Sequence, residues 1–160
     1  MVLRRRLQGF TLIEMVMTIM IFGIIAVVVS RTLFHGYQTF MTAQHISDVD
    51  WQGFLALERI TDDLRTIRSP ADITTLQTSQ LTFVNVSGSS VQFQLSGSNL
   101  LRNGQILASG VQGLTFNYLN SSGATTASAA AVRYIRVSVN VASGGISLPF
   151  STLIAVRSAT

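Results

Sequence analysis

The chain has 160 residues, 48% of them apolar and 11% charged, which is rich in apolar and sparse in charged side chains for a soluble domain. That length accommodates one domain plus an anchor. The sequence has no cysteine, which excludes a disulfide, a thiolate metal site and a cysteine nucleophile within it, and every one of its 11 positive charges is an arginine.

Three of those arginines, Arg4, Arg5 and Arg6, stand together at the start, and a glycine, Gly9, follows them. An apolar run then begins at Phe10 and carries one acid, Glu14, near its beginning; Met15 to Ser30 is uncharged. From Phe10 to Val29 the run is about twenty residues, which as a helix spans about 30 Å, the thickness of a bilayer's hydrocarbon core. Arginines before such a segment favour retention on the cytoplasmic side. An ordinary secretory signal would place a small-residue cleavage site after the apolar core, and Val27-Val28-Val29-Ser30 does not supply one. A plain membrane anchor accounts for the length and the arginines but not for Gly9-Phe10 or Glu14. A carboxylate at the edge of a membrane-length segment is costly without a partner, so Glu14 is a candidate functional residue.

Gly9-Phe10-Thr11-Leu12-Ile13-Glu14 followed by this apolar stretch resembles the start of the type IV pilin-like family, which comprises pilins, minor pilins and pseudopilins. The resemblance covers Arg4 to about Ser30. It implies a leader over residues 1–9, cleavage between Gly9 and Phe10 by prepilin peptidase, and N-methylation of Phe10. It also implies that Glu14 meets the N-terminal amine of a neighbouring subunit. Burying that pair satisfies both charges, whereas either alone would be strongly penalised. Loss of Arg4, Arg5 and Arg6 with the leader would lower the formal charge from +4 to about +1, so net charge gives no argument for nucleic-acid binding. Gly23 interrupts the apolar helix and has two readings. One is close helix packing. The other, which the resemblance supplies, is a site where the helix melts on assembly; many members add a proline further along, where this chain has Arg31.

The helical pattern continues past the 10–30 segment. Leu33, Phe34, Tyr37, Phe40 and Met41 recur at helical spacing, as do Leu57, Ile60, Leu64 and Ile67, with Trp51, Phe54 and Leu55 filling the middle. Gly36 and Gly53 are weak points, and Ser69-Pro70 stops the helix at about Arg68. Residues 31–68 therefore read as an amphipathic helix that packs on a sheet. Glu58, Arg59, Asp62, Asp63, Arg65 and Arg68 decorate it as a solvated face or a subunit-contact face. Arg59 can pair with Asp62 or Asp63, and Arg65 with Asp62.

Residues 69–160 read as strands separated by Gly, Ser and Asn turns. Strand patterns run over Gln80–Val86, Val91–Leu95, Leu100-Leu101, Leu114–Tyr118, Tyr134–Val141 and Pro149–Val156. Asn103-Gly104 is a strong two-residue hairpin signal. Ala124–Ala131 reads as a mobile small-residue loop. The fold class expected is α+β and pilin-like, a long N-terminal helix packed on a C-terminal antiparallel sheet. The order of elements, and the phrases Ala56-Leu57-Glu58-Arg59 and Leu101-Arg102-Asn103-Gly104, look most like minor subunits of the J, W and O types. Many major pilins close a C-terminal loop with a disulfide, which has no counterpart here.

Residue patterns for catalysis and cofactor binding are absent. His35 and His45 would lie about 80° apart around one helix and about 15 Å apart along it, too far to share a metal. Asp48 and Asp50 do not fit a calcium loop. No serine has a nucleophile elbow, and no glycine loop has phosphate-binding spacing. Arg102, Arg133, Arg136 and Arg157 with Tyr134 are the only candidates for a DNA-binding patch, but Arg133 and Arg136 have opposite parity on one strand. The expectation is a non-enzymatic structural subunit without cofactors. Its partners would be prepilin peptidase, other pilin or pseudopilin subunits, an inner-membrane assembly platform and, before extraction into a filament, membrane lipid. It would lie in a bacterial inner membrane with its N-terminus cytoplasmic. The alternative is a filament-displayed module that binds a host ligand or DNA.

Overall fold

A computed structural model describes residues 9–156. Its one long helix, α1, runs from Leu12 to Arg65. The described chain forms two units, one up to Thr42 and the other from Ala43.

The first unit is the N-terminal part of α1, and its apolar side chains are exposed all round. It contains the window that makes α1 long and apolar enough to cross a membrane. Threonines within this part satisfy their hydroxyls internally. Thr18 Oγ1 donates to Glu14 O at 2.7 Å, and Thr32 and Thr39 bond back in the same way to Val28 and His35. That removes the cost of leaving a hydroxyl unpaired in an apolar environment.

In the second unit one face of α1 is buried through Val49, Gly53, Ala56, Ile60, Asp63 and Leu64. Each fully buried Val, Leu or Ile contributes about 1.5–3 kcal/mol. Trp51 and Phe54, which fill the middle of the helical pattern, lie outside this seam at 63% and 57% exposure. At 100° per residue Trp51 falls directly opposite Ile60, and Phe54 about 120° from it, on the flank of the helix. The seam itself has no room for an aromatic, because Phe150 occupies the space beside Gly53. A Cβ at position 53 would collide with that ring. Gly53 is thus a close-approach site and not a weak point.

The helix also ends earlier than Arg68. Thr66 N and Ile67 N donate to Asp63 O and Leu64 O, which tightens the last turn, and Thr66 Oγ1 bonds Asp63 O at 2.6 Å. A short 3-10 turn, Pro70–Asp72, follows, with Ser69 accepting from Ala71 N.

Eight antiparallel strands make two sheets where the sequence pattern suggests one. The first is a five-stranded meander in the order β1 (Ile73–Leu76), β2 (Gln80–Val84), β3 (Ser90–Ser96), β4 (Asn99–Arg102) and β5 (Gln105–Ser109). The second has β6 (Val111–Leu119), β7 (Tyr134–Ser143) and β8 (Ile146–Ala155) in that order. Gly110, at φ +74°, divides them. A Cβ there would lie 2.8 Å from Ala142 O, and Gly110 O accepts from Ala142 N at 2.8 Å. The chain therefore leaves β5 and starts directly against β7. The β1–β2 turn ties the sheets together: Thr78 O accepts from Phe116 N at 2.7 Å, and Gln77 O from the Tyr118 hydroxyl at 2.9 Å. Asn103 and Gly104 have φ of 50° and 79° and join Arg102 to Gln105, the geometry of a type I′ hairpin.

Strand alternation then fills the core. Ile135, Val137, Val139 and Val141 on β7 are buried together with Leu81, Phe83, Val91, Phe93 and Phe116. The segment Ala124–Ala131 is more tied than a free loop. Thr125 bridges Leu119, Thr126 N donates to Tyr118 O, and Ala129–Ala131 forms a 3-10 turn.

Gly53→Ala should destabilise the second unit by about 1–3 kcal/mol through overpacking against Phe150. Thermal unfolding of the full chain in detergent will read the loss, and adding Phe150→Ala should recover part of it. Burial raises the pKa of the Tyr118 phenol above its ordinary value. The unfolded phenol ionises first, so stability should be unaffected by this group below about pH 10 and fall as pH rises above it. Denaturant titrations of Tyr118→Phe should show a shallower alkaline loss than the parent.

Candidate functional site

The site the sequence points to is the start of α1. Gly9, Phe10 and Thr11 are outside the helix, and Phe10 is 79% exposed. Nothing lies within 4 Å of where a Gly9 Cβ would be. The Gly9–Phe10 peptide bond is therefore in non-helical, accessible backbone, the form in which a protease can bind a chain as an extended strand. Thr11 is the N-cap: its Oγ1 accepts from Glu14 N at 3.3 Å, and its carbonyl accepts from Met15 N at 3.2 Å. Glu14 is the acid of the first turn, where the positive end of the helix dipole favours a carboxylate. A hollow beside the cap is lined by Gly9, Phe10, Thr11 and Glu14.

The structure thus brings together Gly9, Phe10 and Glu14, three of the residues singled out from sequence. Arg4, Arg5 and Arg6 lie outside the described residues. Sequence reasoning passed over Thr11, although Thr11-Leu12-Ile13-Glu14 has the spacing of a capping box.

A second cluster forms around Asp63, which is 8% exposed and so is not part of a solvated face. Arg102 on β4 grips its carboxylate with a fork, Nε to Oδ2 at 2.6 Å and Nη2 to Oδ1 at 3.3 Å. Arg59 Nε stands 3.5 Å from the same Oδ2. The hydrogen bond to Asp63 raises the pKa of Arg102, and burial opposes it. Arg65 pairs with Asp62 at 3.8 Å, an exposed contact worth about 0–1 kcal/mol. The pairings Arg59–Asp63 and Arg65–Asp62 are among those expected from spacing.

The four arginines considered for DNA contact do not form one patch among the described residues. Arg102 is committed to Asp63, and Arg133 Nη1 bonds the carbonyls of Ala130 and Val132. Arg136 lies on β7, opposite Asn117 and Leu153. Arg157 is outside the described residues. His45 is packed beside Gly144, with Nδ1 3.4 Å from Ser143 Oγ. No group of three or more potential metal ligands occurs among the described residues.

Residues 4–30 match a family described as the prokaryotic N-terminal methylation motif. No curated protein matches the chain. The matched segment contains Gly9, Phe10, Thr11 and Glu14 and most of the exposed apolar helix. It supports a subunit of the type IV pilin-like class, anchored in a membrane by its N-terminal helix, and points to a structural role rather than catalysis. It implies processing by prepilin peptidase and assembly with other pilins.

Thr11→Val should remove the side-chain cap at a cost of about 0.5–2 kcal/mol to the first helical turn. Hydrogen exchange of the Glu14 amide, followed by NMR of the full chain in micelles, should speed up while amides beyond Ile19 stay as they were.

Proposed function

We propose that this chain is a minor pilin or pseudopilin, a structural subunit that acts in the assembly or priming of a type IV pilus or a type II secretion pseudopilus. One observation carries the reading. An accessible, non-helical Gly9–Phe10 bond directly precedes a capped helix whose apolar side chains as far as Phe40 are exposed and whose only charge over its first turns is Glu14.

The physical sequence of events follows from these residues. Arg4, Arg5 and Arg6 hold the N-terminus in the cytoplasm while the apolar helix enters the bilayer. Cleavage after Gly9 removes those charges and creates an α-amine on Phe10. Methylation of that amine leaves it basic. The chain then carries a cation at Phe10 and an anion at Glu14, one helical turn apart. In lipid both sit near the headgroup level. In a filament core, where the apolar helices pack on one another, an unpaired charge is strongly disfavoured. Pairing the Phe10 amine of one subunit with the Glu14 carboxylate of its neighbour neutralises both charges and, unlike a pair within one chain, fixes the axial register of the two subunits.

Gly9→Ala should leave an uncleaved, unmethylated precursor in cells containing a prepilin peptidase. N-terminal sequencing that finds Phe10 first in this variant would remove the prepilin reading. Glu14→Ala should be cleaved and inserted normally yet fall at least about tenfold in sheared filament fractions, as expected when one partner of a buried pair is lost. Undiminished incorporation would show that Glu14 does not register subunits.

A further inference from the structure

Among the described residues, the outer edge of β8 is the longest unpaired strand edge in the second unit. β8 pairs with β7 over all ten residues from Ile146 to Ala155. Antiparallel ladders alternate residues that exchange bonds with the partner and residues whose N–H and C=O point away. Proline has no N–H to give the ladder, so Pro149 belongs to the outward set, together with Ser151, Leu153 and Ala155. Among the described residues nothing bonds to these outward groups; the bond from Val156 N to Arg133 O lies beyond the strand. The other sheet ends differ. On β6, Phe116 N is taken by Thr78 O; on β5, Ser109 N is taken by Gln52 Oε1; and β1 has only four residues. Strand edges left open are commonly guarded by charged side chains. Ile146–Ala155 carries no charge, and its sole guard is Pro149.

A groove runs beside this edge. Phe54, Leu57 and Glu58 on α1 face Phe150, Ser151 and Thr152 across it. Those three strand residues are consecutive and alternate in facing, so the groove opens along the edge of β8 and not over one side of the sheet. Glu58 is exposed and has no ion-pair partner among the described residues, whereas Asp62, further along, is paired with Arg65.

We infer that the outer edge of β8 is an acceptor for an extended strand of a different protein, one that lays an apolar residue on Phe54 and Phe150 and a basic residue against Glu58. The backbone of such a strand would complete the hydrogen bonds of Ser151, Leu153 and Ala155, the mode known as strand addition. Among the described residues, a second copy of this chain offers no open strand that meets the charge requirement. Its terminal strands β1, β5, β6 and β8 contain no charged residue, and its two arginine-bearing strands, β4 and β7, are each flanked on both sides. The inference concerns the second unit alone and stands independently of how Gly9 and Glu14 act.

The test uses the full chain in detergent micelles and two labelled decapeptides of alternating valine and threonine. One carries a single arginine on its valine face, the other a glutamate at the same place. The arginine peptide should bind saturably, and about tenfold more tightly than the glutamate peptide, the scale of a matched against a mismatched interfacial charge. Ser151→Pro should abolish that binding by deleting one outward donor. Glu58→Arg, on the exposed helix surface, should retain the fold and reverse the preference so that the glutamate peptide binds better. Absence of saturable binding by either peptide, or a preference unmoved by Glu58→Arg, would overturn the inference. So would a second copy in the groove. The chain has no cysteine, so efficient disulfide cross-linking of Leu153→Cys to itself, suppressed by the peptide, would identify that occupant.

Discussion

Without a side chain at position 53, the backbone of α1 comes close enough to the three-stranded sheet for the Phe150 ring to rest directly on it. The rest of the second unit is arranged around that approach. Ala56 continues the shallow part of the seam, and Val49, Ile60, Leu64 and Ile67 fill the deeper parts above and below it. Of the larger apolar groups, Trp51 falls on the far side of the helix and Phe54 on its flank, so both stay exposed. The exposed aromatic surface of α1 is therefore a geometric consequence of how its buried face is packed, and it supplies one wall of the groove beside β8.

The seam contains one charge. Asp63 would be destabilising on its own at this depth, since an uncompensated buried carboxylate costs several kcal/mol. Arg102 and Arg59 compensate it from two directions. Arg102 is delivered by the hairpin that turns at Asn103-Gly104, and Asn103 also fixes the neighbouring strand by accepting from Gln92 N at 2.7 Å. Two short sequence phrases around Arg59 and Arg102, which had no connection in the linear chain, thus converge on a single carboxylate. In the second unit they tie β4 to α1 through that carboxylate.

The N-terminal segment follows a different physical logic. In the second unit the buried charge of Asp63 is neutralised within the chain. At the start of α1 the apolar side chains and Glu14 have no such internal partners, apart from the backbone capping by Thr11. A surface of that kind is stable only in lipid or against other apolar helices. The match of residues 4–30 to the prokaryotic N-terminal methylation motif agrees with this physical reading.

Features that depend on neighbours along the chain are legible in its residues. The apolar helix, the Gly9-Phe10 junction, the isolated acid at Glu14, the β7 alternation and the Asn103-Gly104 turn are all local patterns, set by helical or strand periodicity and by backbone conformational preference. Strands β1 and β5 were less legible because Ile73–Leu76 and Gln105–Ser109 are short and alternate weakly. Which face of α1 is buried depends on long-range packing, because the residue at its centre is a glycine whose importance lies in what approaches it. The same long-range packing divided the head into two sheets, since Gly110 must fit against Ala142, which is distant in sequence. It alone placed Asp63 between two arginines and left the edge of β8 open. Burial and pairing of that kind depend on residues brought together from far apart, and no periodicity in the chain records them.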